Sequence, residues 1–145
     1  MKPPRIAKTP LRHVRRERPD MSPAHKRNIK DLPCCVCGAV SAIDPHHLMH
    51  PDHGPNSRGM GRTSADKWLV PLCRTHHDEA HAYRFGDDSD WLATQGIMGK
   101  ELATALWSDR DDIAAMLRHV LRAIQGARLK RMGPKTPGAV GSGIE

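Results

Sequence analysis

The chain has 145 residues, enough for one domain of ordinary size, and a formal net charge of +7 at pH 7. Only 3% of its residues are aromatic, so a purely apolar core would be thin and a structural metal would stabilise a small fold considerably. Neither a membrane span nor the apolar run of a secretory signal is present, and we expect a cytoplasmic protein without membrane contact. In that reducing compartment, the four cysteines are metal ligands or free thiols rather than disulfides.

The positive charge lies at the two ends of the chain. Residues 1–30 carry ten Lys or Arg against two acidic residues, a net of +8, whereas residues 31–127 carry −4 and residues 128–145 carry +3. We interpret residues 1–30 as a disordered basic arm and residues 129–145 as a flexible tail.

A basic arm attracts polyanions through counterion release, so we predict that it contacts nucleic acid, with Arg15 and Arg16 among the contacting residues. The alternative is a solvated arm that only aids solubility.

The organised region is predicted to begin near residue 31 with two short strands. Residues 36–43 suit a metal knuckle that runs into a first strand, and residues 67–72 form an apolar second strand. Residues 50–65 are a loop by composition, because Gly and Pro recur there.

Helices are predicted for the rest of the organised region. They cover residues 75–84, a short segment through Trp91 that Gly96 stops, residues 100–107 and residues 111–127. In the last helix, apolar residues recur every three or four positions, which indicates core packing or a dimer face. Three acidic residues before Trp91 are interpreted as helix caps and dipole complements, namely Asp87, Asp88 and Asp90.

Three cysteines and one histidine have the spacing of a structural zinc site. Two residues separate Cys34 from Cys37, and two separate Cys73 from His76, so each pair can hold one ion from a single turn. Cys35 could substitute in principle, although the single residue between it and Cys37 is tighter than the usual zinc spacing. A redox pair is the alternative, but the chain lacks a thioredoxin-like βαβ pattern.

Four further histidines indicate a second metal site. His77 and His81 lie four residues apart on a predicted helix and so share a face, and His46 can complete a three-His set. His47 would point to the opposite side of an extended chain, and a neutral imidazole there can take a proton from water. A bound ion would neutralise a phosphate, so the arrangement indicates phosphodiester hydrolysis. For any one of these histidines taken alone, the alternative interpretation is an ordinary surface or core residue.

These motifs resemble the HNH endonucleases, also called ββα-metal or His-Me finger nucleases. The similarity covers about residues 32–97 and is closer to a phage-associated branch that includes Ref-type nucleases. It rests on Asp-Pro-His-His-Leu at residues 44–48, on Ser-Ala-Asp at residues 64–66, and on residues 70–77. The resemblance implies an α+β fold, with a zinc-stabilised ββα-metal core over residues 31–98 and C-terminal helices over residues 99–128.

The resemblance also implies roles for individual residues. His47 would be the general base, and a catalytic Mg²⁺ or Mn²⁺, or another divalent ion, would be held by His46, His77 and His81. Structural Zn²⁺ would be held by Cys34, Cys37, Cys73 and His76. Many HNH motifs have an Asn five residues before the cysteine, where this chain has Trp68. The Ref-like branch has an Asp there, so Asp66 either braces the loop that carries His47 or helps to bind metal.

The sequence therefore predicts a metal-dependent DNA endonuclease, and the resemblance implies that its cleavage leaves a 5′-phosphate and a 3′-hydroxyl. Arg58 and Arg62 in the Gly-rich loop are candidate phosphate contacts, with ordinary solvated loop charges as the alternative. Two other interpretations stay open. One is a non-catalytic zinc module that binds DNA or RNA through its tails. The other is a nuclease that works only with a recombinase or a phage packaging protein. The sequence does not determine the oligomeric state.

Overall fold

The computed structural model describes residues 21–49 and 65–133. Arg15, Arg16, Arg58 and Arg62 lie outside these ranges, so the structure does not bear on their predicted contacts with nucleic acid. The elements, in chain order, are α1 (Pro23–Lys30), β1 (Ile43–His47), a 3₁₀ turn (Asp66–Trp68), β2 (Leu69–Cys73), α2 (Arg74–Ala82), α3 (Asp88–Thr94), α4 (Gly99–Ser108) and α5 (Ile113–Met132). Over the described ranges this is an α+β arrangement, as the sequence predicted.

Strands β1 and β2 pair antiparallel in a two-stranded sheet, with Ile43 opposite Cys73 and His47 opposite Leu69. Pro45 and Pro71 face each other across the ladder, which a two-stranded sheet tolerates because both strands are edges. Successive side chains of a strand point to opposite faces. The strand therefore directs His46 and His47 to different sides of the sheet.

The second strand begins two residues later than the sequence indicated. Residues 66–68 form the 3₁₀ turn instead, closed by a hydrogen bond from the Trp68 amide to the Ala65 carbonyl. The Asp66 side chain accepts hydrogen bonds from distant groups, which holds this turn against the sheet. Apolar composition alone did not separate the turn from the strand.

Residues 23–30 form helix α1, which corrects the expectation that residues 1–30 are all disordered. Ser22 caps the helix by accepting a hydrogen bond from the His25 amide at 3.1 Å, and Pro23 suits its first position. His25 and Ile29 are fully buried, and the His25 ring packs edge-on against Trp107 of α4. The high density of basic residues concealed this narrow buried face.

The core lies between the sheet and the helices, and α4 contacts β2, α5 and the 3₁₀ turn. Its largest fully buried apolar side chains come from α1, β2, α3, α4 and α5 and from the segments that follow α1, β1 and α3: Ile29, Leu32, Leu48, Leu69, Leu72, Leu92, Ile97, Leu106 and Met116. In the described ranges, no helix combines the length and apolar composition that crossing a membrane requires.

Helix α5 runs to Met132, so residues 129–132 are helical, which corrects the expectation that they belong to a flexible tail. Its last turn lies against the Cys34–Cys37 segment, where the Arg131 guanidinium donates to the Val36 carbonyl at 3.3 Å. The apolar stripe of α5 divides into two faces. One face is buried in the core and comprises Met116, Val120, Ile124 and Ala127; the other is partly exposed and comprises Ile113, Leu117 and Leu121.

Gly96 ends helix α3 in a conformation that requires glycine. Its φ is +83°, its amide donates to the Ala93 carbonyl, and the Ile97 amide donates to the Leu92 carbonyl. This is the Schellman arrangement, in which the residue after the cap adopts the left-handed conformation. A Cβ at this position would also lie 3.2 Å from the Ala127 Cα of α5.

We expect Gly96→Ala to lower the free energy of unfolding by about 1–2 kcal/mol, because the new side chain meets both a positive φ and a backbone atom. Gly126→Ala is the matched control, since Gly126 is helical and its Cβ would have no neighbour within 4 Å. The control should raise stability by roughly 0.5–1 kcal/mol. Urea unfolding with zinc in excess measures both changes, and equal stability of the two variants would contradict this account of Gly96.

Candidate metal centres

Three cysteines and a histidine converge into one cluster, as their spacing predicted: Cys34, Cys37, Cys73 and His76. Cys73 Sγ lies 3.2 Å from His76 Nδ1, Cys34 Sγ lies 3.5 Å from the same nitrogen, and the Cys37 and Cys73 sulfurs are 3.9 Å apart. A tetrahedral zinc ion with Zn–S bonds of about 2.3 Å separates its ligand atoms by roughly 3.6–3.8 Å. The cluster could therefore bind a metal such as zinc.

Two local structures present these four ligands. Cys34 and Cys37 lie on a tight turn in which the Gly38 amide donates to the Cys34 carbonyl at 2.8 Å, and Gly38 has a φ of +78°. Cys73 is the last residue of β2, and His76 lies in the first turn of α2. The Cys35 amide donates to the Pro71 carbonyl at 3.0 Å, which joins the turn to β2.

Cys35 lies outside the metal-binding set. Its side chain is fully buried in the core, and burial raises the pKa of the thiol well above its ordinary value. The ligand atoms that converge belong to Cys34, Cys37, Cys73 and His76, and the Cys35 sulfur is not among them. Cys35 packs as a small apolar residue and holds its turn through the backbone.

The second cluster consists of His46, His77 and His81, whose ligand atoms lie within 4.8 Å of one another. The ring centroids of His46 and His77 are 4.9 Å apart, those of His46 and His81 are 4.9 Å apart, and those of His77 and His81 are 4.6 Å apart. His46 is buried, His77 is half-buried and His81 is exposed. The three imidazoles could hold a metal ion that solvent reaches from one side.

The donor chemistry of this cluster suits a metal. Burial and the neighbouring His46 and His81 rings lower the pKa of His77, which keeps its imidazole neutral at pH 7 and able to coordinate. His46 Nδ1 and His77 Nδ1 are both buried without a hydrogen-bond partner among the described residues. An unsatisfied buried polar atom costs about 1–3 kcal/mol, a cost that a coordinated ion would remove.

His47 follows His46 on β1 and is held by a carboxylate. Its Nε2 lies 3.0 Å from Asp66 Oδ1, and because a carboxylate only accepts, Nε2 carries the proton and Nδ1 keeps its lone pair. Burial lowers the pKa of His47, although the Asp66 carboxylate opposes this change. The imidazole is therefore neutral at pH 7.

Asp66 is a buried carboxylate with three donors. The Ser22 amide lies 2.7 Å from its Oδ2, and the Lys26 Nζ lies 3.2 Å from its Oδ1, beside the bond from His47. Burial acts to raise the pKa of Asp66, but the hydrogen bonds from His47, Ser22 and Lys26 outweigh it and the net pKa lies below its ordinary value. Asp66 thus contacts His47 and does not belong to the three-His cluster. Lys26 of α1 also contacts Asp66, and the sequence did not predict this contact.

Asp88 lies in the first turn of α3, where an acidic residue complements the helix dipole as predicted, but the capping hydrogen bonds come from its neighbours. Helix α3 is capped by Asp87 and Asp90, each of whose side chains accepts the other's amide at 2.9–3.0 Å. Asp88 turns inward and is 7% exposed, with Oδ2 2.9 Å from His46 Nε2 and Oδ1 2.9 Å from the Met49 amide. Because 42 residues separate Asp88 from His46, no local pattern pointed to this contact.

We expect Cys37→Ala to abolish tight binding of one ion at the cysteine cluster, because a tetrahedral site loses a thiolate ligand. The matched control is Cys35→Ala, which removes a neighbouring cysteine that lies outside the set and should retain the ion. Titration with Co²⁺ distinguishes the two, since only the cysteine cluster gives thiolate-to-cobalt charge-transfer absorption. Wild-type absorption in the Cys37 variant would remove Cys37 from the ligand set.

The chain is similar in sequence to a protein family and to a bacterial protein. A family model described as "Protein of unknown function (DUF968)" matches residues 7–107, a range that includes both clusters. The Uncharacterized protein YdfU of Escherichia coli (strain K12) is 44% identical over 78 residues, which cover 54% of this chain and 19% of that protein. The chain thus spans about a fifth of the length of that relative. No solved structure matches the chain. Since the family model covers well over half of its residues, the chain belongs to the DUF968 family.

Proposed function

We propose that the chain is a metal-dependent endonuclease of the HNH type that hydrolyses phosphodiester bonds in DNA. The proposal rests on two adjacent histidines, of which one belongs to a candidate metal-binding cluster and the other does not. His46 belongs to the three-His cluster, whereas His47 belongs to neither cluster and is bound to Asp66. A purely structural metal module has no use for a neutral imidazole held in this way.

The three-His cluster suits a catalytic ion better than a structural one. Structural zinc sites are closed by four protein ligands, whereas catalytic sites leave positions for substrate and water. Three imidazoles leave such positions, and the exposure of His81 opens them to solvent. Imidazole donors suit transition metals better than they suit Mg²⁺, so between the two expected ions the cluster favours Mn²⁺. When bound, the ion would neutralise the scissile phosphate and stabilise the leaving oxygen.

In this proposal His47 is the general base. Its Nδ1 accepts a proton from water as the water oxygen attacks phosphorus, and the bond from phosphorus to the 3′-oxygen breaks. The products are a 5′-phosphate and a 3′-hydroxyl, which takes its proton from solvent. Asp66 keeps the proton of the resting imidazole on Nε2 and stabilises the imidazolium that forms, as the carboxylate of a catalytic triad does.

Asp66 is itself fixed by groups that precede the sheet in the chain. Ser22 and Lys26 bind it from the beginning of α1, so the arrangement of the general base depends on that helix. Lys26, the first Lys or Arg of the described ranges, therefore lies beside the proposed general base. We propose DNA as the substrate, because a cationic helix beside the general base favours a polyanion.

We expect wild-type protein to cleave plasmid DNA with Mn²⁺ and to stop when EDTA is added. His47→Ala should lower the rate by about 10²–10⁴-fold, because the general base is lost. His119→Ala is the matched control. His119 lies on α5, its Nε2 is 2.7 Å from Asp109 Oδ2, and it belongs to neither cluster. Gel electrophoresis of the plasmid measures the rates, and equal rates for wild type and the His47 variant would overturn the assignment of the base.

Two outcomes would select the other interpretations. Salt-dependent DNA binding without cleavage in the presence of any divalent ion would indicate a non-catalytic zinc module. Cleavage only of DNA coated with a recombinase would indicate a nuclease that requires a partner.

A further inference from the structure

We propose that Asp88 is a positioning residue for His46, which it orients so that Nδ1 faces the shared centre of the three-His cluster. This inference deepens the proposed function, since it concerns the same candidate catalytic ion. It rests on the geometry of a buried carboxylate that helix capping does not explain.

Two features other than the contact with His46 hold the Asp88 carboxylate in place. Its Oδ1 and Oδ2 lie 2.9 Å and 3.2 Å from the Met49 amide, just beyond the end of β1. Its backbone begins helix α3, and the capping box of Asp87 and Asp90 fixes that end of the helix. The carboxylate is therefore rigid and nearly free of water, as a group that orients another side chain must be.

The contact with His46 determines which nitrogen can coordinate. Because Asp88 accepts at 2.9 Å, the His46 proton lies on Nε2, and the lone pair lies on Nδ1. That Nδ1 is buried without a partner among the described residues, while the His77 and His81 rings lie 4.9 Å away, centroid to centroid. If the hydrogen bond between Asp88 and His46 had only a structural role, nothing would explain why Nδ1 of the same ring is buried without a partner among the described residues.

A carboxylate behind a coordinating imidazole has two physical effects. It prevents rotation of the ring about its bond to Cβ, which lowers the entropy lost when an ion binds, and it makes the coordinating nitrogen a stronger donor. Removing such a partner commonly weakens metal affinity by about 10–100-fold. His77 and His81 come from an exposed helix, so His46 is the anchored member of the cluster.

The first experiment measures metal affinity in zinc-loaded protein. The protein is loaded with one equivalent of zinc, which the thiolates of the cysteine cluster would take first. Mn²⁺, which has little preference for thiolates, is then titrated and followed by its electron paramagnetic resonance signal. We expect Asp88→Asn to weaken Mn²⁺ binding by about 10–100-fold. Asp109→Asn makes the same chemical change at a carboxylate whose imidazole partner, His119, belongs to neither cluster, and it should leave affinity unchanged.

Unchanged affinity in Asp88→Asn would overturn the inference. If wild type binds no Mn²⁺ beyond the zinc, the inference falls together with the proposed catalytic site. If wild type binds Mn²⁺ and Asp88→Asn binds it weakly, yet neither cleaves DNA, the inference stands and the proposed activity fails.

A second measurement requires no substitution and applies even if Asp88→Asn does not fold. Nitrogen-15 correlation spectra of the wild-type histidine rings identify which nitrogen of each ring carries the proton. We expect Nε2 of His46 to carry a proton in zinc-loaded, Mn²⁺-free protein, because it donates to Asp88. The other neutral tautomer, with the proton on Nδ1 and a bare Nε2, would overturn the inference, since the ring could not then donate to the Asp88 carboxylate.

Discussion

The orientation of helix α2 is the constraint on which both clusters depend. The helix has nine residues, of which Ala80 is the buried one, so apolar burial contributes little to holding it in place. A helix of this length is marginal by itself. His76 joins it to the three cysteines, and an ion there would fix both its position and its rotation about its axis. His77, the next residue along, then faces His46, and His81 follows one turn later on the same side.

The same corner of the fold explains how one short segment serves two centres. Cys73 ends β2 and the helix begins at once, so the change from strand to helix turns successive side chains in different directions. Cys73 and His76 point to the turn at residues 34–37, whereas His77 and His81 point to β1. Without the pairing of β1 with β2, His46 would not lie opposite α2.

The two histidines of β1 are each matched with one buried aspartate, but the aspartates come from different parts of the chain. Asp66 lies in the 3₁₀ turn before β2, and Asp88 lies at the start of α3. Burying a carboxylate is costly unless it is paired and hydrogen-bonded. Both carboxylates satisfy this requirement with a backbone amide as well as an imidazole, from Ser22 and from Met49. In each case the imidazole donates through Nε2 and keeps its lone pair on Nδ1, which in the proposed mechanism binds an ion in His46 and accepts a proton in His47.

By itself, the sequence determined the features that depend on short spacings. Pairs of ligands separated by two residues predicted the cysteine cluster, a separation of four predicted that His77 and His81 share a face, and adjacency on a strand predicted that His46 and His47 diverge. Tertiary structure alone decided the contacts that join distant segments: Lys26 on Asp66, Asp88 on His46, and α1 as a packed helix rather than part of an arm. The physical reason is that the partners of a buried carboxylate and the burial of a helix face depend on how elements pack. Packing brings together residues whose separation along the chain carries no periodic signal.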